Sequence, residues 1–274
     1  MSKLNENLDE CPGRPVHIRL SNGQICYGSQ YGESDDAPVG IFVHGFRSST
    51  RGTKATSLKA HALNANRNWI EFDLPCHGRS DGIFRSFRIR YAVEALVKVI
   101  QLCGDRPIIL IGSSLGGWLA TAAAICLDTI SLHKGAKGVK PNITGALLIA
   151  PAFDFVEYYF ANNKVNMDMW TYTGLMEFKD AYDGNAFNLD IGVIEDSKNH
   201  SVLSGSLELR FPIQIYHGDH DEIVPVELSH AFRDSVSCPR LELDVIPGGD
   251  HSLNDHLAQF CVGLDRLFDK SITN

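Results

Sequence analysis

A serine with a glycine on either side is the feature that most constrains what this chain can fold into. Residues 112–116 read GSSLG, a G-x-S-x-G pattern with Ser114 at its centre. An apolar run at 106–111 precedes the pattern and a small, apolar run at 117–127 follows it. The local sequence therefore predicts a strand, a sharp turn and a helix.

Such a turn strains its central residue and brings its two ends close together, so glycine is needed on both flanks. The turn is expected to present the Ser114 hydroxyl at the carboxyl edge of a sheet, beside the positive end of a helix. The alternative interpretation is a turn rich in glycine and serine that carries no chemistry.

Apolar strands and helices alternate along most of the chain. Continuous apolar runs, typical of strands buried on both faces, lie at 39–45, 68–74, 106–111, 143–152, 211–219 and 241–249. Helical patterns lie at 53–66, 91–103, 226–235 and 253–270. This alternation predicts an α/β fold with a doubly wound, mostly parallel sheet. The Asn22-Gly23 pair predicts a hairpin ahead of that sheet.

A single domain over residues 15–274 is expected, preceded by a flexible N-terminal tail at 1–14. The alternation stops between 152 and 209, where ten aromatic residues gather: Phe153, Phe155, Tyr158, Tyr159, Phe160, Trp170, Tyr172, Phe178, Tyr182 and Phe187. We predict that this segment forms a helical cap, with Phe153, Phe155 and Trp170 lining an apolar substrate pocket. The alternative is a helical connector whose aromatic residues form a small core of their own.

Charge and cysteine content narrow the function classes. A formal net charge of −8 argues against a general binder of nucleic acids or anionic membranes. The seven cysteines are scattered, which favours free thiols in a reducing compartment over a disulfide framework. The first residues lack the apolar core of a secretory signal, and no apolar run approaches the ~18 residues of a membrane span. These observations predict a cytoplasmic protein without integral membrane association.

A catalytic serine needs a base and an orienting acid, which are expected in the order Ser, Asp or Glu, His on a sheet of this kind. The base is predicted to be His251, which follows the strand at 241–249 and a Gly-Gly pair. His256 is the rival base, but one helical turn later it is expected on a helix surface.

The acid is expected just past the strand at 211–219. Asp221 is preferred, with Asp219 next, because Asp219 directly follows a glycine and could instead cap the turn. Asp250 is disfavoured because its side chain should diverge from that of its neighbour His251. The same HGDHD run lacks the spacing of known zinc motifs, so neither a metal nor a cofactor is predicted.

The tetrahedral intermediate of acyl transfer needs two backbone donors. The amide of Leu115, directly after the serine, is expected to be one. The amide of Phe46, in the loop after the strand at 39–45, is expected to be the other. The alternative is that this loop merely turns the chain.

Six further residues near the strand ends have predicted roles. In the loop after the strand at 68–74, Asp73, Arg79, Ser80 and Asp81 are expected to brace the loop rather than bind ligand. Lys54 could approach a substrate anion, although a cation exposed to water at a helix start is the commoner outcome. Trp118 is expected to pack in the core.

The chain resembles the α/β-hydrolase superfamily through five stretches in order: VHGF, FDLPCHGRSDG, GSSLGGWLA, HGDHDEIVP and GGDHSL. Cys76 stands where that family commonly has glycine. The resemblance implies the α/β-hydrolase fold with Ser114 as nucleophile, Asp221 as acid and His251 as base, and oxyanion donors at Phe46 and Leu115. The strings GTKA and GSSLGGWLA also resemble the branch of acyl-thioesterases and acyl-glucuronide esterases. Serine at the turn disfavours dehalogenase and epoxide hydrolase chemistry, which use aspartate there.

The sequence therefore predicts a serine hydrolase of carboxylic esters or thioesters that works through an acyl-enzyme. The expected partner is a small acyl ester or thioester, not a nucleic acid, and the oligomeric state is left open. A hydrolase of carbon–carbon bonds with the same triad is one alternative. A non-catalytic ligand-binding or scaffold protein on this fold is the other.

Overall fold

The computed structural model describes residues 13–32, 34, 36–134, 141–156, 158, 167–180 and 184–272. Most of the predicted tail at 1–14 lies outside these residues, as do Tyr159, Phe160 and Tyr182 of the aromatic segment. Arg14 already belongs to the first strand. In this part of the chain no helix is long and apolar enough to cross a membrane.

An eight-stranded sheet forms the centre of the molecule, in the order β1-β2-β4-β3-β5-β6-β10-β12. Its strands are β1 (Arg14–Arg19), β2 (Ile25–Tyr31), β3 (Val39–Val43), β4 (Asn68–Phe72), β5 (Ile108–Ser113), β6 (Ile143–Ile149), β10 (Ile213–Gly218) and β12 (Leu241–Ile246). β2 pairs antiparallel with β1 and β4, and the other neighbours pair parallel. The predicted hairpin and the doubly wound, mostly parallel sheet are confirmed.

Helices cover both faces of this sheet. They are α1 (Thr53–Asn64), α2 (Ile89–Leu102), α3 (Leu115–Lys134), α4 (Met167–Thr173), α5 (Gly192–Lys198), α6 (Val226–Ser235) and α7 (Leu257–Ile272). Ile109 and Ile111 of β5 share a core with α1 and α7, whereas Ile108 and Leu110 belong to the core with α2 and α3. Successive residues of a strand point to opposite faces of the sheet, and helices cover both faces here. Residues pointing to either face must therefore be apolar, which explains the continuous apolar runs.

The segment 152–209 is not wholly helical, so the predicted helical cap is wrong in that respect. Besides α4 and α5 it contains an antiparallel pair, β7 (Leu175–Lys179) and β8 (Ala186–Asp190), and the short β9 (Leu207–Glu208), which pairs with β11 (Val236–Ser237). Phe178 lies opposite Phe187 across β7 and β8, and their rings stack at 5.6 Å. β7 and β8 are each five residues long with one buried side chain, which is too short for a clear period of two.

Candidate active site

Ser114 lies at the junction of a strand and a helix, as the sequence predicts. β5 ends at Ser113, α3 begins at Leu115, and Ser114 between them has φ = +54°. A Cβ on Gly116 would collide with the carbonyl oxygen of Val43, and one on Gly112 would collide with the backbone of Gly116. Glycine is required at both flanks because the turn presses against β3 and against itself.

Three loops at the carboxyl edge of the sheet bring Ser114, His251 and Asp221 together. The Oγ of Ser114 lies 2.9 Å from Nε2 of His251, and Nδ1 of His251 lies 2.6 Å from Oδ2 of Asp221. His251 and Asp221 are buried, whereas Ser114 is partly exposed. The parallel strands β5, β10 and β12 end at this edge, which is where α/β sheets place their sites. This arrangement can pass a proton from the serine hydroxyl to the imidazole.

Asp221 is held as a carboxylate. Its Oδ1 accepts hydrogen bonds from the amides of Ile223 at 3.0 Å and Val224 at 2.8 Å. Burial raises the pKa of this carboxyl, but its hydrogen bonds with His217, His251 and the Val224 amide outweigh that effect and hold the pKa well below its usual range. An ionised Asp221 keeps the proton of His251 on Nδ1, so that Nε2 is free to accept from Ser114.

The rival candidates have other partners. Asp219 is exposed and accepts the amide of Gly248 at 2.6 Å, which ties two loops together, and His256 lies in a short helical turn, half-buried. Within the HGDHD run, Nδ1 of His217 is 2.7 Å from the Ser229 hydroxyl and Nε2 is 2.9 Å from the Val224 carbonyl. No cluster of three metal-binding side chains occurs among the described residues.

The two proposed oxyanion donors flank Ser114. Leu115 is the first residue of α3, so its amide lacks an intrahelical acceptor. The loop of Phe46 runs against the serine, since a Cβ on the preceding Gly45 would lie 3.2 Å from that of Ser114. Among the described residues neither amide has a hydrogen-bond partner. Both are therefore available to an oxygen that develops negative charge.

Two buried histidines that the sequence reasoning did not single out brace the loop of Phe46. Nδ1 of His44 bonds the carbonyl of Gly45 at 2.8 Å, and its Nε2 accepts the amide of Leu74 at 2.9 Å. Nε2 of His77 accepts the amide of Arg47 at 3.1 Å. Burial lowers the pKa of both, to about 3 for His77, so both imidazoles are neutral. Their position after strands β3 and β4 was the available sequence signal.

The loop after β4 is arranged around Asp73, as the sequence predicts for its polar residues. The carboxylate of Asp73 accepts the amide of Thr50 at 2.9 Å and both the amide and the Nε of Arg79. Burial raises the pKa of Asp73, but these bonds outweigh it and lower the pKa overall. The hydroxyl of Ser80 bonds the Asp73 carbonyl at 2.6 Å, and Asp81 accepts the amide of Ile25. These residues connect β2 to the site without contacting Ser114.

An apolar cavity adjoins Ser114 and His251 beneath the segment 152–209. Its aromatic lining consists of Phe46, Phe87, Trp118, Phe155, Phe178 and Phe187. Of the three predicted pocket residues only Phe155 lines this cavity. Phe153 instead stacks on Phe232 at 4.1 Å in the core, and Trp170 is fully buried with its Nε1 donating to the Leu189 carbonyl at 3.1 Å.

The structure also gives the surroundings of Trp118 and Lys54. Trp118 is buried as predicted, with its Nε1 donating to the His200 carbonyl at 2.8 Å, yet one side of it lines the cavity. Lys54 is half-buried rather than free in water, and its Nζ donates to the Ser252 carbonyl at 2.5 Å. Burial lowers the pKa of that amine.

Comparison with known proteins agrees with this fold. The sequence profile of the alpha/beta hydrolase family matches residues 41–262. The mitochondrial palmitoyl-protein thioesterase ABHD10 of Mus musculus is 28% identical over 245 residues, covering 85% of this chain and 76% of that protein. The Bos taurus protein of the same name is 26% identical over 245 residues, covering 86% of this chain and 75% of that protein.

Two solved structures share the fold. Alpha/beta hydrolase domain-containing protein 10 from mouse superposes with a TM-score of 0.79 at 24% identity, covering 94% of this chain and 99% of that chain. Est1E from Butyrivibrio proteoclasticus, with ferulic acid bound, superposes with a TM-score of 0.75 at 20% identity, covering 94% of this chain and 100% of that chain. The profile match spans most of the sheet and all three loops that meet at Ser114, and this chain belongs to the alpha/beta hydrolase family.

Proposed function

We propose that this hydrolase cleaves carboxylic ester or thioester bonds through an acyl-enzyme formed on Ser114. The continuous hydrogen-bonded series from Ser114 Oγ through His251 to Asp221, at 2.9 Å and 2.6 Å, carries the proposal. An aligned base converts a weakly nucleophilic hydroxyl into one that attacks a carbonyl at neutral pH. The complete series also favours catalysis over a purely ligand-binding role.

In the proposed reaction, Ser114 Oγ attacks the carbonyl carbon while its proton moves to Nε2 of His251. The amides of Phe46 and Leu115 stabilise the oxygen that becomes negative. When the intermediate collapses, the bond to the leaving alcohol or thiol breaks and His251 returns the proton to it. Water then attacks the acyl carbon with the same proton transfers, which releases the acid and restores the Ser114 hydroxyl.

The apolar cavity favours a substrate whose acyl group carries no charge. Among the described residues that line it, the polar ones besides Ser114 and His251 are Lys179 and Asp180. Burial of hydrocarbon there is favoured by the hydrophobic effect. The curated relatives are named as palmitoyl-protein thioesterases, which supports an extended acyl chain and a thioester as substrates. A carbon–carbon bond hydrolase needs polar groups for its enol-like product, and the aromatic lining does not favour that alternative.

A fluorophosphonate probe tests the nucleophile. Ser114→Ala should abolish labelling, whereas Ser113→Ala, in the same motif but not bonded to His251, should retain it. Hydrolysis of p-nitrophenyl esters and acyl thioesters from two to sixteen carbons then tests the acyl preference, with a rise in kcat/KM as the chain lengthens. Labelling that survives in Ser114→Ala would refute the proposal.

We also propose a reducing compartment for this enzyme. The six cysteines in the described residues are free thiols, and burial raises the pKa of Cys26 to about 12, which makes it inert. The cytoplasmic location stays a prediction, since the curated relatives are named as mitochondrial proteins. Imaging of the tagged full chain decides between the two compartments.

A further inference from the structure

A second cavity, which we call the polar cleft, also opens at Ser114 and His251. Its lining includes Ser48, Ser49, Thr53, Lys54 and Ser252. It shares Phe46, Ser114, Asp180 and His251 with the apolar cavity, so the two meet at the reacting serine. Their linings differ, since aromatic and aliphatic side chains predominate in the apolar cavity. The polar cleft is lined mainly by hydroxyls, by the cationic Arg47 and Lys54, and by the Asp180 carboxylate.

This arrangement suits the two sides of an ester. The carbonyl carbon attacked by Ser114 carries an acyl group on one side and the leaving alcohol or thiol on the other. An apolar acyl group gains more in the aromatic cavity than in the polar cleft. The leaving group then occupies the polar cleft, an assignment that rests on the function proposed for Ser114.

Among the described residues, Lys54 is the cationic side chain of the polar cleft that has no direct ion pair. Arg47 lies there too, but its Nη1 is 2.8 Å from Asp180 and its guanidinium stacks over Phe187 at 4.7 Å. Nζ of Lys54 donates one hydrogen bond, to the Ser252 carbonyl, and forms no ion pair with a described carboxylate. An ammonium has three donors, so two are left for a ligand.

The surroundings of Lys54 favour an anion. The side chain is half-buried in the first turn of α1, which contains no acidic residue. Asp250 and Asp221 attract its charge from beyond contact distance. Burial penalises an ammonium that lacks a close counter-charge, and an anion entering the cleft would remove that penalty through a charge-assisted hydrogen bond.

We propose that Lys54 is a specificity-determining residue that binds an anionic group, a carboxylate or a phosphate, on the leaving alcohol or thiol. Its fixed position beside Ser252, the neighbour of His251, sets the anion close to the scissile bond. The hydroxyls of Ser48, Ser49 and Thr53 line the same cleft and can donate to such a group.

A different role for Lys54 must be separated from this one. By bonding Ser252, Lys54 also supports the loop that carries His251. Loss of that support would slow every substrate by the same factor, because the base is common to all of them. Recognition of the leaving group would instead change the ratio between anionic and neutral substrates.

Two octanoyl esters that differ by one carboxylate measure that ratio. One releases 4-nitrophenol and the other releases 5-hydroxy-2-nitrobenzoate, so both reactions are followed by colour. The wild type should have the higher kcat/KM on the anionic ester, and Lys54→Met should lower the ratio of anionic to neutral kcat/KM about tenfold. Lys54→Arg should retain most of the ratio. Arg51→Met, which removes an exposed charge three residues away, should leave it unchanged.

Inhibition by benzoate and by phenyl phosphate, each compared with phenol, distinguishes a carboxylate from a phosphate. Weaker inhibition of Lys54→Met than of the wild type by the preferred anion supports the proposal. An unaltered ratio in Lys54→Met, with both esters slowed equally, would overturn the leaving-group site and leave only the loop-supporting role. If the wild type hydrolyses neither ester, the function proposed for Ser114 fails instead.

Discussion

Replacing Asp221 by asparagine tests whether charge at this position determines the state of His251. The amides of Ile223 and Val224 donate to Oδ1 of Asp221. They would orient the asparagine side chain with its oxygen towards them, because only the oxygen can accept. Its NH₂ group would then occupy the place of Oδ2, 2.6 Å from Nδ1 of His251. His251 must accept at Nδ1 and carry its proton on Nε2, where it cannot take the proton of Ser114.

The opposite orientation of the amide is no better, because its NH₂ would face the two backbone donors. We expect kcat to fall about 10⁴-fold, which at about 1.36 kcal/mol per tenfold is roughly 5 kcal/mol in the activation barrier. Active-site titration and hydrolysis of an octanoyl p-nitrophenyl ester measure this loss, and thermal unfolding checks that the variant is folded. The side chains are nearly equal in volume, so no cavity contributes to the effect.

Asp219→Asn is the matched control. Asp219 lies two residues away and is the second candidate for the acid, but among the described residues its carboxylate accepts only the amide of Gly248. Its replacement should lower kcat by less than about threefold, since surface substitutions of this kind have small effects. A loss of less than tenfold in Asp221→Asn, or a larger loss in Asp219→Asn, would refute the assignment of Asp221 as the orienting acid.

Two further predictions concern the loop of Phe46. The pKa of His77 is about 3 in the folded protein and about 6.5 when unfolded, so the unfolded chain binds more protons between these values and stability falls as pH drops. Between pH 6.5 and 5 this costs about 2 kcal/mol, and urea unfolding of the wild type and His77→Gln at both values should show a smaller loss in the variant. Asp180→Asn breaks the ion pair with Arg47. It should lower the free energy of unfolding by about 1 kcal/mol or less, because the pair is partly exposed. Hydrogen exchange should report faster opening of β7 and β8 in this variant. Unchanged protection there would contradict the idea that the ion pair ties these strands to the loop of Phe46.

The sheet and its turn could be predicted because each depends on local rules. A strand buried on both faces must be apolar throughout, as in β3 and β5, and a Gly-flanked serine between a strand and a helix has few structural explanations. The predicted hairpin, the six parallel strands and the helix at Val226–Ser235 follow from such rules. Observed strand ends differ from the predicted ones by one to three residues, since the last residues before a loop keep the same composition.

The segment 152–209 could not be predicted to the same extent. Which aromatic residues line the cavity depends on how separate short elements pack. The sequence does not distinguish the ten aromatic residues of that segment from one another. Trp170 and Phe153 look as suitable as Phe155, yet one bonds the Leu189 carbonyl and the other stacks on Phe232. Phe46 and Phe87, which also line the cavity, come from loops that lie far from this segment in sequence.

The buried histidines show why chemistry is harder to predict than fold. His44, His77, His217 and His251 all lie in or just after strands of the central sheet, so position alone does not distinguish them. His44 and His77 have backbone partners on both ring nitrogens, and their lowered pKa values make them neutral braces. His217 and His251 each have a serine hydroxyl at one nitrogen and the Asp221 carboxylate at the other. The serine of His217, Ser229, is fully buried, whereas Ser114, the serine of His251, lines both cavities.

A base differs from a brace in what its second nitrogen can do. An amide donor such as that of Leu74 on His44 keeps its proton, so the bond is permanent. A serine hydroxyl can give its proton up, and an ionised Asp221 stabilises the imidazolium that results. The partners of each ring, which only the folded chain brings together, therefore make His251 the proposed base and leave His44 and His77 to hold the loop of Phe46 in place.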